Sequence, residues 1–239
     1  MEKIVNALML RATDYNENDK ILTLLTCENG KITARVKGVK KSGAKLKFAA
    51  QPFCFAEYVL AERGGRYTVI NATECESFYD LRTDINKFYA ASAVSEAACA
   101  LTYEGDECGE IFSSCVKAFT DICNGDETLS LILFLDRALR LSGYGLNCEN
   151  CAVCGKNLTG EASLRFDMDV GSFTCDGCSS GPKASMVTYN VLRKIQGKSY
   201  EEDFITADGE KRLLRLFREY ISYKLNINFK SLAEYIRLI

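Results

Sequence analysis

The chain has 239 residues, of which 47% are hydrophobic and 26% charged, with two prolines and a formal net charge of −2. These values are ordinary for a globular protein of one or two domains and argue against long disordered segments. The sequence contains no histidine. That excludes Ser-His-Asp and Cys-His nucleophile systems, and every metal site that needs an imidazole ligand.

The first 80 residues predict five short β-strands. Segments rich in Ile, Leu, Val and Thr occur at residues 3–14, 20–27, 31–39, 52–61 and 66–74. Asn29-Gly30 predicts a type I′ hairpin turn, in which both central residues need a positive φ, and Gly64-Gly65 predicts a second turn. Five strands in about 75 residues match the small closed barrel of the OB-fold.

The hydrophobic period changes to that of helices after residue 78. Helices are predicted at residues 81–103, 107–123, 127–141, 185–196, 210–225 and 231–239. A cysteine-rich insert at residues 148–180 interrupts them. The predicted class is therefore α+β, with an OB-fold domain at residues 1–80 and a helical domain at 81–239 that carries the insert. The apolar stretch at residues 129–135 is far shorter than the roughly 18 residues of a membrane span, so we expect no membrane segment, and no secretory signal is recognised.

The insert predicts a zinc ribbon. Cys151 and Cys154 form one Cys-x2-Cys pair, and Cys175 and Cys178 form a second pair after twenty intervening residues. Two such pairs can close a tetrahedron of thiolates around one Zn²⁺, with no open position for a catalytic water. Residues 163–167 and 171–174 are expected to form the ribbon hairpin. Cys148 leaves an alternative register open, because it also makes a Cys-x2-Cys pair with Cys151. A further alternative is that these thiols are redox-active or bind no metal.

The other seven cysteines are scattered through apolar segments. We interpret them as reduced and mostly buried thiols of a cytoplasmic protein, because disulfide scaffolds are usually short and loop-rich.

A basic run at residues 31–47 is the sharpest charge feature, with seven basic residues and no acidic one. Such a run suits contact with phosphates, despite the acidic overall charge. The alternative is a solvated strand face followed by a loop. The candidate DNA-binding residues are Lys31, Arg35, Lys37, Lys40, Lys41, Lys45 and Lys47.

Three further sets have both a functional and a structural interpretation. Phe53, Phe55, Tyr58 and Tyr67 could stack bases, but core packing is the favoured interpretation for most of them. Arg137 and Arg140 could bind an acidic peptide tail, or they could belong to an ordinary amphipathic helix. A basic helix face could contact DNA or simply be solvated; it consists of Lys211, Arg212, Arg215 and Arg218.

The order of motifs resembles that of the bacterial RecO recombination-mediator family across nearly the whole chain. The matching N-terminal positions are Tyr15, Glu17, Asp19, Ile21, Leu24, Thr26, Gly30 and Lys31, followed by Lys37-Gly38, Lys41 and Gln51-Pro52-Phe53. The matching C-terminal positions are Gly143-Tyr144, the Cys151 pair with Gly155, and Lys230-Ser231.

The resemblance implies an OB-fold, a helical domain and an embedded zinc finger. It implies binding of single- and double-stranded DNA, annealing of complementary strands, and help in loading recombinase onto coated single strands. The implied partners are RecR and the acidic C-terminal tail of single-stranded-DNA-binding protein, in the bacterial cytoplasm at the nucleoid. No catalytic activity is expected, and the chain has no Walker A pattern. The alternative function is a zinc-ribbon adaptor that binds proteins but not DNA, for which the basic run would not be needed.

Overall fold

The computed structural model describes residues 2–197 and 205–239. It divides into two compact units, Met1–Glu127 and Thr128–Ile239. The first unit contains the predicted strands and two helices, and the second contains the cysteine-rich insert. The predicted division into domains at residue 80 stays a prediction.

The first unit is built on a closed five-stranded barrel. Its strands are β1 (Glu2–Asp14), β2 (Lys20–Thr26), β3 (Lys31–Val36), β4 (Phe55–Arg63) and β5 (Arg66–Glu76). They follow the order β1-β2-β3-β5-β4, in which β4 pairs with β1 and closes the barrel. Strands β3 and β5 are parallel, whereas the other pairs are antiparallel. This is the predicted OB-fold barrel.

Period-two alternation fills the barrel core. On β3 the side chains of Ile32, Ala34 and Val36 are buried, while the alternate positions face outward. The outward positions therefore carry the basic residues of this strand.

The predicted turn at Asn29-Gly30 exists, but its type was predicted wrongly. Gly30 has a φ of 61°, whereas Asn29 does not have a positive φ. The loop is closed instead by Thr26, whose backbone N–H and side-chain hydroxyl both donate to the Gly30 carbonyl, each at 2.9 Å. Gly30 is required for a second reason, because a Cβ there would lie 2.1 Å from the carbonyl oxygen of Tyr103. At the second turn, Gly64 and Gly65 both have positive φ, as predicted.

Two helices complete the first unit, α1 (Ile85–Leu101) and α2 (Gly109–Cys123). Helix α1 begins after Asp84, whose carboxylate accepts from the N–H groups of Asn86 and Lys87. Buried Phe53 packs edge-to-face on Phe88 of α1 and Phe119 of α2, with ring centroids 5.6 and 5.4 Å apart.

The second unit combines helices with a three-stranded sheet. Its helices are α3 (Glu127–Leu141), α4 (Met186–Gln196), α5 (Ala207–Leu225) and α6 (Lys230–Leu238). The sheet consists of β6 (Leu164–Asp167), β7 (Ser172–Cys175) and β8 (Lys183–Ala184), in the order β7-β6-β8. All six predicted helices are present, with ends shifted by a few residues.

The seven scattered cysteines are free thiols, but fewer are buried than predicted. Cys54, Cys108 and Cys115 are buried, whereas Cys27 and Cys75 are exposed. Within residues 2–197 and 205–239, none of the helices combines the length and the hydropathy that a membrane span needs.

Candidate metal centre and nucleic-acid interface

The two Cys-x2-Cys pairs meet as the sequence predicts. The Sγ atoms of Cys151, Cys154, Cys175 and Cys178 all lie within 4.8 Å of one another. The Sγ atoms of Cys154 and Cys175 are 3.7 Å apart. A tetrahedral site with Zn–S bonds of about 2.3 Å has S–S edges of about 3.8 Å, so this spacing suits a shared metal ion. It is much longer than a disulfide bond of about 2.05 Å.

Backbone turns place the four sulfur atoms. In the first knuckle, Gly155 has a φ of 74° and its N–H donates to the Cys151 carbonyl at 2.9 Å. The second knuckle begins at the end of β7, where the Cys178 N–H donates to the Cys175 carbonyl at 3.0 Å. Gly177, within this second knuckle, does not have a positive φ.

The cluster favours a cation because it concentrates negative charge. Burial raises the pKa of the Cys151 thiol, but hydrogen bonds led by the Cys154 and Cys175 amides outweigh this and lower the pKa to about 6. Burial, hydrogen bonds in which the Cys175 thiol donates to Cys154 and Cys151, and repulsion from their charges raise the pKa of Cys175 to about 12. Ionisation of one thiol therefore opposes ionisation of its neighbours, and a divalent metal that prefers soft ligands would supply the compensating positive charge.

Aromatic side chains attach the ribbon to its helices. Phe166 on β6 and Phe173 on β7 are buried, with ring centroids 5.1 Å apart. Phe173 packs on Tyr189 of α4 at 5.2 Å, and Phe166 packs on Tyr220 of α5 at 5.8 Å. The hairpin that carries Cys175 is therefore packed against α4 and α5.

Cys148 lies outside the cluster. Its buried thiol donates to Oε1 of Gln196 at 3.3 Å. The Gln196 amide in turn donates to Oδ1 of Asp136 at 2.7 Å and to the Leu146 carbonyl at 2.9 Å. The structure therefore brings Cys151 and Cys154, and not Cys148, together with the second cysteine pair. Cys148 belongs instead to a buried polar network.

The basic run divides into a strand part and a loop part. Lys31 and Arg35 lie on β3 and are partly buried, whereas Lys37 lies beyond the strand end. The other four side chains, like that of Lys37, are exposed; they belong to Lys40, Lys41, Lys45 and Lys47. We call residues 37–47 the basic loop.

Three of the seven positive charges are already engaged within the first unit. Arg35 donates from Nε to Oδ2 of Asp19 at 3.0 Å, and Lys40 forms an ion pair of 2.9 Å with Asp14. Lys31 donates to the carbonyl of Cys99 at 2.6 Å. In the part of the chain that the structure describes, no such partner holds the ammonium groups of Lys37, Lys41, Lys45 and Lys47.

Asp19 fixes the geometry of the basic loop. Its carboxylate accepts from the Gly38 N–H at 2.7 Å and from Arg35. These two hydrogen bonds lower the pKa of Asp19, the one from Gly38 most strongly. The Lys40 N–H also donates to the Asn18 carbonyl at 3.0 Å. The loop between β1 and β2 therefore holds the first turn of the basic loop in one conformation.

Comparison with known proteins agrees with this arrangement of barrel, helices and cysteine ribbon. A family model described as recombination protein O N terminal matches residues 1–78, and one described as recombination protein O C terminal matches residues 82–233. The chain belongs to the RecO family of DNA repair proteins.

Several curated relatives carry the name DNA repair protein RecO. The protein of Clostridium novyi is 31% identical over 235 residues, covering 95% of this chain and 90% of the relative. The protein of Desulforamulus reducens is 30% identical over 235 residues, covering 95% and 91%. The protein of Clostridium perfringens is 30% identical over 217 residues, covering 88% and 87%.

The four aromatic residues considered for base stacking in this RecO-family chain lie mainly in the core. Phe53 and Tyr58 are buried, and the Tyr58 hydroxyl donates to the Ala49 carbonyl at 2.8 Å. Phe55 packs on Phe112 at 5.6 Å. Tyr67 is partly buried against the barrel core. An aromatic side chain that sequence reasoning did not select, Tyr15, is exposed near the basic run.

The two arginines considered for binding an acidic tail lie on α3 and are exposed. Arg140 forms an ion pair of 2.7 Å with Asp136, whose side chain is only 1% exposed. Arg140 therefore compensates a buried carboxylate, a role that the sequence did not predict. Arg137 is exposed, and binding of an acidic tail at these two arginines stays a hypothesis.

The basic face of α5 is partly engaged in intramolecular contacts. Lys211 donates to the Ile239 carbonyl at 2.5 Å, and Arg212 pairs with Asp208 at 2.6 Å. The opposite face is buried; it consists of Leu213, Leu214, Phe217 and Ile221.

Proposed function

We propose that this protein is a recombination mediator that binds single- and double-stranded DNA, anneals complementary strands and helps to load recombinase onto coated single strands. The observation that carries the proposal is the basic loop, with four uncompensated lysines, on an OB-fold barrel of a RecO-family chain. We assign phosphate contact chiefly to Lys37, Lys41, Lys45 and Lys47, and a supporting role to Lys31, Arg35 and Lys40.

The physical basis is the release of counterions. Each ammonium group that meets a phosphate displaces condensed cations from the strand, and this release favours binding at low salt. Two strands held on the same cationic surface repel each other less, so complementary bases can pair faster. Phosphate contacts carry no sequence information, which suits a protein that must act at any break.

We propose one structural Zn²⁺ at Cys151, Cys154, Cys175 and Cys178. Four thiolates in a closed tetrahedron are the preferred donor set of structural zinc and leave no site for substrate. When bound, the metal would link the two knuckles to each other. The chain's own residues would keep the ribbon in place, through the backbone N–H groups that donate to the Cys151 sulfur and through the packing of Phe173 on Tyr189.

We further propose RecR and the acidic tail of single-stranded-DNA-binding protein as partners, with Arg137 and Arg140 as the tail site. We infer no catalytic role, and we place the protein in the bacterial cytoplasm at the nucleoid. Both inferences rest on membership of the RecO family.

The ion pair with Asp136 leaves the side chain of Arg140 half exposed, at 50%. A peptide carboxylate would therefore compete with Asp136 for the same guanidinium group.

An annealing assay with two complementary labelled oligonucleotides tests the proposal. We expect the wild-type protein to accelerate pairing, and the combined change of Lys37, Lys41, Lys45 and Lys47 to Gln to abolish most of that acceleration. These side chains are exposed, so the variant should melt at the wild-type temperature. Failure of the folded wild-type protein to bind DNA at low salt would instead favour a zinc-ribbon adaptor.

A further inference from the structure

A groove on the outer face of the barrel lies beside the basic loop. It has a volume of about 460 Å³ and is lined by residues of the β1–β2 loop, β2, β3, the β4–β5 turn, β5 and the α1–α2 loop, among them Tyr15, Arg35, Arg66, Tyr67 and Glu104. This volume falls within the usual range of small-ligand sites, about 300–1,000 Å³. We call it the outer groove.

The most exposed ring of the outer groove is that of Tyr15, which is 56% exposed. The guanidinium carbon of Arg35 lies 4.9 Å from the centroid of this ring. Arg35 is itself held by Asp19, with Nε at 3.0 Å from Oδ2. The chain therefore presents an aromatic ring with a guanidinium group over one of its faces, and a buried carboxylate sets the orientation of that guanidinium group.

The lining of the outer groove carries both signs of charge. Arg35 is paired with Asp19, Arg66 contributes a second guanidinium group, and Glu104 contributes a carboxylate. A phosphate would meet both Arg66 and Glu104, whereas an N–H group of a nucleobase could donate to Glu104. Planar rings and guanidinium groups are the surfaces on which unpaired bases stack.

We propose that the outer groove binds an unpaired nucleobase of a single strand, with Tyr15 as the stacking platform and Arg35 as the residue that positions it. This inference rests on the proposed DNA binding and assigns the two neighbouring surfaces different tasks. The basic loop holds phosphates of any strand, while the outer groove distinguishes a single strand from a duplex, whose bases are already stacked and paired.

The test compares two oligonucleotides of equal length, one of thymidine and one made of abasic sugar-phosphate units. Both carry the same phosphates, but only the first can stack. We expect the wild-type protein to bind the thymidine strand more tightly by roughly 5- to 150-fold, the range for one stacked base. Tyr15→Ala should remove this preference, and Tyr15→Phe should keep it.

A matched control is Tyr79→Ala, because Tyr79 is as exposed as Tyr15 but does not line the outer groove. It should leave the preference unchanged. Tyr15→Ala should lower thymidine binding by the same factor at every salt concentration, because stacking releases no counterions. Equal binding of both strands by the wild-type protein, or a preference that survives in Tyr15→Ala, would overturn the proposal that the outer groove binds a base. Phosphate binding by the basic loop would be unaffected by either result. Absence of binding to either strand would overturn the proposed function as well.

Discussion

Arg35 on β3 donates to the carboxylate of Asp19, sixteen residues earlier in the chain, and its guanidinium group lies against the ring of Tyr15. This relationship changes the meaning of the basic run. Arg35 is a fixed part of the barrel surface rather than a mobile positive charge, and the free charge is concentrated in the basic loop that follows it.

The first prediction concerns the pH dependence of this contact. The folded-state pKa of Asp19 is lowered, so its ionised form stabilises the fold above the unfolded pKa of about 3.9, and that stabilisation is lost as pH falls through the folded pKa. The stability advantage of the wild-type protein over Asp19→Asn should therefore be full above about pH 4 and decrease in more acid solution. Urea unfolding of both proteins at several pH values measures it, and a difference independent of pH would contradict the role of Asp19.

The contribution of Asp136 to stability should change with pH in the opposite direction. Burial, opposed by the Gln196 hydrogen bond and by Arg140, raises the folded-state pKa of Asp136. Between the unfolded value and this raised value the folded protein binds the extra proton, so stability decreases as pH rises through that interval. The stability of the wild-type protein relative to Asp136→Asn should fall as pH increases from about 4. Any acid loss of metal affects both proteins equally, and a rise with pH would show that pairing with Arg140 outweighs burial.

The metal centre yields a prediction about single cysteines. Cys175→Ser should abolish binding of one zinc per chain and lower the yield of folded protein, because structural zinc contributes folding free energy on the order of 10 kcal/mol. Cys148→Ser is the control, since its thiol contacts Gln196 and not the cluster. Elemental analysis of protein purified without chelator distinguishes the two. Loss of zinc in Cys148→Ser with retention in Cys154→Ser would show that Cys148, and not Cys154, pairs with Cys151 as a ligand.

Local patterns were enough to predict the elements and the cysteine cluster. Alternation on β3 gives the buried Ile32, Ala34 and Val36, and the two Cys-x2-Cys pairs give the four cysteines that meet, because each of these signals lies within a few residues. Contacts between distant residues were not predictable in this way. The sequence around Lys40 does not show that Asp14, 26 positions earlier, neutralises it. The sequence around Cys148 likewise does not show that its thiol donates to Gln196, 48 positions later.

The turn at Asn29-Gly30 shows why one local prediction failed. The dipeptide is typical of a type I′ turn, but the Thr26 hydroxyl accepts from the Asn29 N–H at 3.0 Å and donates to the Gly30 carbonyl at 2.9 Å. This side chain closes a longer loop in which only Gly30 needs a positive φ. Tyr15 was recognised only as a position of the family motif, because a single tyrosine in a loop does not indicate base stacking until the fold places Arg35 against its ring.

The central claim is that the basic loop holds DNA through its phosphates, and the salt dependence of single-strand binding tests it most directly. The test variant changes Lys41, Lys45 and Lys47 to Gln. The control changes three exposed basic residues on other elements to Gln: Lys117, Lys183 and Arg237. Each lost phosphate contact should flatten the plot of log affinity against log salt by about 0.7, so the test variant should lose about 2 units of slope. The control should keep the wild-type slope, and an equal slope in wild-type protein and folded test variant would contradict the account.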